Sequence, residues 1–348
     1  MKTTFKKTKR QRGQKEFSLF VFYFLLFSVY FFLFCGCEDS LQTTYTPLGV
    51  TSGDLRSEAI QIIRDGLDDE NPLIRANAIE VVAATRQIRL MPKVQRLLGD
   101  QSVPVAFAAA LAIGDVEYSL AKNEVAELIQ DENENIRIAG VYAMRRVGYP
   151  VSFELLQKAI ASDDQTIRAN AALLLGKSGD ESALKFLYWA LQHEDSDDKV
   201  RFQAAEGIAM LGDERIYPKL WAMLISAYAD DRVVGVKAMG ALGTVKAKNA
   251  LFTMLDDDIL EVRLAAAEQL GRLGDTTGEP EVLDVFAKNL TAGLDKQSHE
   301  RVNVLTALAI GQIGTKPLIK YLAQLLRDES KFVRVAAAKA VLQYTMKD

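Results

Sequence analysis

Cysteine occurs at one place in this chain of 348 residues, as Cys35 and Cys37. Everything after them is free of thiols, which excludes a disulfide framework and a cysteine nucleophile there. Histidine is almost as scarce, with His193 and His299 the whole supply. Excess positive charge is missing too. Residues 1–16 hold seven Lys or Arg against Glu16, leaving 35 basic and 45 acidic residues for the rest, a balance of −10. A surface of that sign cannot displace counterions from nucleic acid phosphates. No Gly-x-Ser-x-Gly elbow is present. Gly176-Lys177-Ser178 lies at the end of a helical stretch, not in a glycine-rich loop after a strand.

The N-terminus holds what the remainder lacks. After the basic stretch, Phe17 to Phe34 is an apolar run of eighteen residues broken by Ser18 and Ser28, ten of them aromatic. Basic-then-apolar order marks a targeting segment, to be set aside before fold reasoning. Leu33-Phe34-Cys35-Gly36-Cys37 resembles a bacterial lipoprotein lipobox, which implies lipidation at Cys37. An uncleaved anchor is the alternative, because eighteen residues is near the lower limit for a span. The expected division is therefore a signal peptide or anchor at 1–36, a flexible tether at 37–53 and a folded region at 54–348. It places the folded region outside the cytoplasm, in a bacterial envelope.

Self-similarity dominates that folded region. The segment Val262 to Gly274 (VRLAAAEQLGRLG) recurs at Ile136, Ile167 and Val200, and more loosely from Ile74, Val105, Asp231, Val302 and Val333. Positions equivalent to Arg263 are Arg75, Ala106, Arg137, Arg168, Arg201, Arg232, Asn303 and Arg334. Six of the eight intervals are 31 residues, the others 33 and 40. Val262, Ala266, Leu270 and Leu273 form an apolar stripe at helical spacing, and a glycine ends most copies at the position of Gly274. A shorter helix precedes each copy. The reading is all-α: about nine antiparallel helix pairs stacked into a solenoid.

Acidic turns join the two helices of each pair. Asp at a fixed distance before the repeat arginine suggests a structural ladder of Asp69, Arg75, Asp131, Arg137, Arg168, Asp195, Arg201, Asp257, Arg263, Asp328 and Arg334. Helix capping explains the carboxylates better than calcium does.

The pattern Asp-x5-Arg-x2-Ala-Ala-x2-Leu-Gly-x-Leu-Gly resembles the short HEAT repeats of phycobilisome-lyase-type proteins, over roughly residues 55–345. That resemblance implies a right-handed α-solenoid with the second helices lining a concave side. Members include scaffolds, lyases and deoxyhypusine hydroxylase, which binds iron through His-Glu pairs at the start of its second helices. His193-Glu194 and His299-Glu300 stand outside that slot, so neither a metal site nor a catalytic residue is expected, and no cofactor.

Residues two, five and nine places after the repeat arginine share one helix face. From them come the candidate partner-binding residues Tyr142, Arg146, Lys177, Gln203, Glu206, Lys237, Glu268 and Arg272. Insertion of nine residues near Leu290 to Ser298 offers a second place for binding. The expectation is a membrane-tethered, extracytoplasmic scaffold that binds proteins on its concave surface. It would be no enzyme and would take neither nucleic acid nor a small-molecule substrate. A subunit of a lyase- or hydroxylase-type HEAT-repeat enzyme is the alternative.

Overall fold

The computed structural model describes residues 52–346. The expected signal or anchor at 1–36, most of the tether and Cys37 lie outside the described residues. Ser52 and Gly53, assigned to the tether, already belong to the first helix. No helix among the described residues is long and apolar enough to cross a membrane.

The described residues fold into nine helix pairs. Unit 1 pairs α1 (Ser52–Gly66) with α2 (Pro72–Ala84), unit 2 α3 (Met91–Arg96) with α4 (Val103–Asp115), and unit 3 α5 (Lys122–Leu128) with α6 (Glu134–Arg146). Unit 4 pairs α7 (Glu154–Ala159) with α8 (Gln165–Lys177), unit 5 α9 (Leu184–Gln192) with α10 (Asp198–Met210), and unit 6 α11 (Tyr217–Leu224) with α12 (Ala229–Leu242). Unit 7 pairs α13 (Val245–Thr253) with α14 (Leu260–Arg272), and unit 8 α15 (Glu279–Ala287) with α16 (Lys296–Ile313). In unit 9 the first helix is split into α17 (Lys316–Ile319) and α18 (Leu322–Leu325) before α19 (Lys331–Tyr344).

Local chemistry sets these boundaries. Asn71, Asn133, Asp164, Asp197, Asp295 and Ser330 cap second helices by accepting a backbone N–H two or three residues on. Eleven residues past the repeat arginine the chain turns into the left-handed region, and Gly148, Gly179, Gly212, Gly243, Gly274 and Gly314 supply it in units 3 to 8. Units 1 and 2 make the same turn with Arg86 (φ 47°) and Glu117 (φ 56°), against the preference of residues bearing a Cβ.

The stripe expected to face inward is the core. Val262, Ala266 and Leu270 have no exposed surface. Small residues three places after the repeat arginine admit the first helix of the same unit. A Cβ on Gly140 would stand 2.8 Å from the Cβ of Leu128, and one on Gly235 2.9 Å from that of Met223. Neighbouring units meet backbone to backbone at Gly176 and Gly207, where a Cβ on Gly176 would lie 2.4 Å from the Cα of Gly207.

The stack closes on itself, which an extended scaffold does not. Each second helix packs on the next from α2 round to α19, and α19 packs on both α1 and α2. Arg327 pairs with Glu58 at 3.1 Å, Lys331 with Asp69 at 2.6 Å and Lys339 with Glu80 at 2.8 Å. Arg56 donates to Thr345 Oγ1 across the same seam. Val335, 1% exposed, adds apolar contact there. The nine units form a ring, and the concave side becomes its inner face.

Candidate functional site

The second helices carry their fifth and ninth residues after the repeat arginine to that face, in two levels. The fifth-position level runs Glu80, Leu111, Tyr142, Leu173, Glu206, Lys237, Glu268, Leu308 and Lys339. Its make-up changes around the ring. Leu111, Tyr142 and Leu173 give units 2 to 4 an apolar wall, while Glu206, Lys237, Glu268, Lys339 and Glu80 charge units 5 to 7, 9 and 1.

The charged side is a coupled cluster. Lys237 lies in the fields of Glu268 and Glu206 from adjacent units, and of Glu80 and Lys339 from units it does not adjoin. Burial lowers its pKa, and the surrounding carboxylates oppose that shift. Burial acts against the ammonium of Lys339 as well. There Glu80, which accepts its hydrogen bond at 2.8 Å, outweighs the desolvation and raises the pKa. Glu268 is 9% exposed, and its Oε2 is buried without a hydrogen-bond partner. Asn77 Oδ1, one helical turn before Glu80, is buried and unpartnered too. Buried acceptors without donors are costly, and three of the six unpartnered buried atoms among the described residues (the third is Gln343 Oε1) belong to this face.

The candidate residues are thus brought to one inner face, where most are already engaged by neighbouring side chains. Tyr142, 2% exposed, donates to Asp115 Oδ1 at 2.6 Å. Burial, with that carboxylate adding to it, pushes the phenol's pKa far up. Lys177 reaches over unit 3 to Asp115 at 3.0 Å, and Arg146 pairs with Glu117 at 2.8 Å. Gln203 is buried and donates to Glu206 at 3.0 Å. Arg272 remains exposed, 3.4 Å from Gln269 Oε1. Asp115 was missed in the sequence although it occupies the ninth position of unit 2, because Ala106 weakens the register there.

The ladder residues bond partly through the backbone. Arg75, Arg137, Arg263 and Arg334 donate to the backbone carbonyls of Asp69, Asp131, Asp257 and Asp328, six residues earlier. Arg201 bonds the carbonyls of His193 and Glu194, and Arg168 that of Ser162. Aspartate side chains instead cap the turn two residues on, as Asp131 does with Asn133 N–H and Asp328 with Ser330 N–H. Asp195 makes no such cap; its own N–H donates to His193 Nδ1. Bidentate pairing runs from one unit's arginine to the next unit's carboxylate, from Arg75 to Asp100 and from Arg232 to Asp257.

His193 packs against Trp189, with ring centroids 4.3 Å apart, and His299 lies three units away in the repeat order. Among the described residues no three His, Cys, Asp or Glu side chains are grouped to hold a metal ion.

Comparison with known proteins follows the same architecture. The family model for HEAT repeats matches residues 90–172 and 153–235, and that for the PBS lyase HEAT-like repeat matches residues 262–291. A phycocyanobilin lyase subunit alpha of Pseudanabaena tenuis is 32% identical over 212 residues, covering 55% of this chain and 76% of that protein. The chain belongs to the HEAT-repeat family of the phycocyanobilin lyase subunits. An uncharacterized phycocyanin operon protein Z of the same organism is 26% identical over 163 residues, 44% of this chain and 81% of that protein. Among solved structures, the complex of CpcE and CpcF of phycocyanin lyase from Nostoc sp. aligns with 15% identity and a TM-score of 0.43. It covers 73% of this chain and 99% of that one.

Membership of the lyase-subunit family corrects the functional expectation. The chain was expected to be a membrane-tethered, extracytoplasmic protein-binding scaffold and no enzyme. Its most extensively matched relatives are lyase subunits, and the alternative reading fits them better. The expected lack of a small-molecule substrate finds no support in these relatives. Nucleophiles and metal ligands are scarce in the repeats, and that scarcity alone does not exclude a lyase subunit.

Proposed function

We propose that the protein is a lyase-type subunit that holds an open-chain tetrapyrrole of the phycocyanobilin class and passes it to a protein partner. The observation carrying the proposal is the 32% identity with a phycocyanobilin lyase subunit alpha across 76% of that relative. The chemistry of the inner face suits such a ligand. A tetrapyrrole offers apolar rings, pyrrole N–H donors and two propionates. Leu111 supplies an apolar position, Glu268 Oε2 a buried acceptor without a donor, and Lys237, Lys339 and Arg272 the positive charge. After Cys37 the chain has no thiol, so the repeats hold the ligand without a covalent bond and can release it.

Hand-over is the test. Full-length protein loaded with phycocyanobilin is mixed with an apo-phycocyanin subunit, and the covalent adduct is followed by mass spectrometry. The proposal expects faster and more site-selective attachment than with free phycocyanobilin. Equal rates and equal site distributions with and without the protein overturn it.

A further inference from the structure

We infer that the cavity between units 8 and 9 is a guanidinium-binding site, occupying the place that an arginine of the chain itself fills at comparable junctions. At the junction of units 1 and 2, Arg75 grips Asp100 through two parallel hydrogen bonds of 2.8 and 2.9 Å. Between units 6 and 7, Arg232 grips Asp257 the same way at 2.7 and 2.9 Å. Both acceptors are fixed by a turn in which one carboxylate oxygen takes the N–H two residues on, Ser102 at 2.8 Å and Ile259 at 2.9 Å.

Asp328 is built identically. Its Oδ1 accepts from Ser330 N–H at 2.8 Å, and it occupies the same place in unit 9. The residue at the arginine position of unit 8 is Asn303, 8% exposed, whose short amide gives Asp328 Oδ2 one bond of 3.0 Å. The missing side-chain length leaves a cavity of 290 Å³ lined by Asn303, Asp328, His299 and Asn289, with Phe286 and Tyr321 as a further wall. Those two rings stack at 3.8 Å and 2°, which makes that wall rigid. Unit 8 also carries the insertion, and the turn that begins at Asn289 borders the opening. The other junction lacking an arginine, at Ala106, differs. Arg96 lines the cavity beside Asp131 there, so that cavity brings its own guanidinium.

A planar fork of N–H donors matches a carboxylate held edge-on, whereas an ammonium offers a point charge without that match. The ligand is therefore a guanidinium, either on a small molecule or on an arginine side chain of a peptide. This inference is independent of the tetrapyrrole reading.

The experiment is thermal unfolding and calorimetric titration of the full-length protein with three probes: agmatine, a capped Gly-Arg-Gly peptide, and 1,4-diaminobutane as the ammonium control. The expected result is a saturable rise in melting temperature with agmatine, with the peptide, or with both, and none with 1,4-diaminobutane at equal concentration. A response to agmatine alone assigns a small-molecule site, and a response to the peptide an arginine side chain. Asn303→Arg places a guanidinium in the cavity from within and should abolish the response while raising the melting temperature. Asp328→Asn should abolish it without that rise. No response of the wild type to either guanidinium overturns the inference, as does an equal response to 1,4-diaminobutane. So does a response retained by a folded Asn303→Arg or Asp328→Asn protein.

Discussion

Lys339 donates to Glu80 at 2.8 Å across 259 positions of sequence, joining the last unit to the first. That contact, with Arg327 on Glu58 and Lys331 on Asp69, converts a linear repeat into a ring. A linear stack keeps two free ends and frays from them. A ring has no free ends, and a local fault anywhere loads every junction.

Val335 tests closure. It is 1% exposed at the seam, and Val335→Asp would bury a carboxylate without a partner, costing on the order of 3–5 kcal/mol. The expected outcome is an opened ring, seen by small-angle scattering as a larger radius of gyration with helix content retained. An unchanged radius in a soluble, folded variant would count against closure through this seam.

Arg86 occupies the left-handed turn that glycine takes in units 3 to 8. Arg86→Gly relieves a conformational cost of roughly 1–2 kcal/mol and gives back part of it as chain entropy. A net gain near ~1 kcal/mol in urea unfolding is expected. Gly148→Ala, at the equivalent position in unit 3, should lose a similar amount.

Gly176 and Gly207 set the distance between α8 and α10. A methyl group on Gly176 has no room, so Gly176→Ala should destabilise by about 1–3 kcal/mol. Gly99→Ala is the control, since nothing lies within 4 Å of its Cβ position. Comparable loss in both variants would mean that α8 and α10 do not approach as described.

Lys199 makes stability depend on pH. It is 6% exposed, and burial lowers its pKa from 10.5 to about 8, against the opposing pull of Asp197 and Asp164. Between those two values the unfolded chain binds more protons than the folded one, so stability rises with pH across that window. The full change is on the order of 3 kcal/mol. Lys199→Met removes the titrating group, and its stability should exceed that of the wild type at pH 7. Urea unfolding at pH 7.5 and 9.5 should show a rise for the wild type and a flatter response for the variant.

The repeat, its helices and its core stripe were legible because they are local. Spacing fixed Val262, Ala266 and Leu270 on a buried face, and the glycines marked helix ends. Closure was not legible. It depends on the small rotation added at each unit, and no single residue reports that sum until Glu80 and Lys339 are seen together. The same limit applied to the inner face. Tyr142, Lys177 and Glu268 were placed on one face by spacing, but their pairing with Asp115 and their burial arise only when the face curves round on itself. The ladder was half legible. Arginine spacing was visible, whereas the grip on the next unit's carboxylate required knowing which turn lies beside which helix.

Binding of a tetrapyrrole to the inner face of the ring is tested most directly by a phycocyanobilin titration of the full-length protein followed by visible absorbance. The account predicts a saturable spectral change at one ligand per chain. It should be weakened at least about tenfold in a folded Lys237→Met, Arg272→Glu double variant, as expected when charged partners worth about 1.4 kcal/mol or more are removed. No saturable change in the wild type, or an identical titration of the double variant, would contradict it.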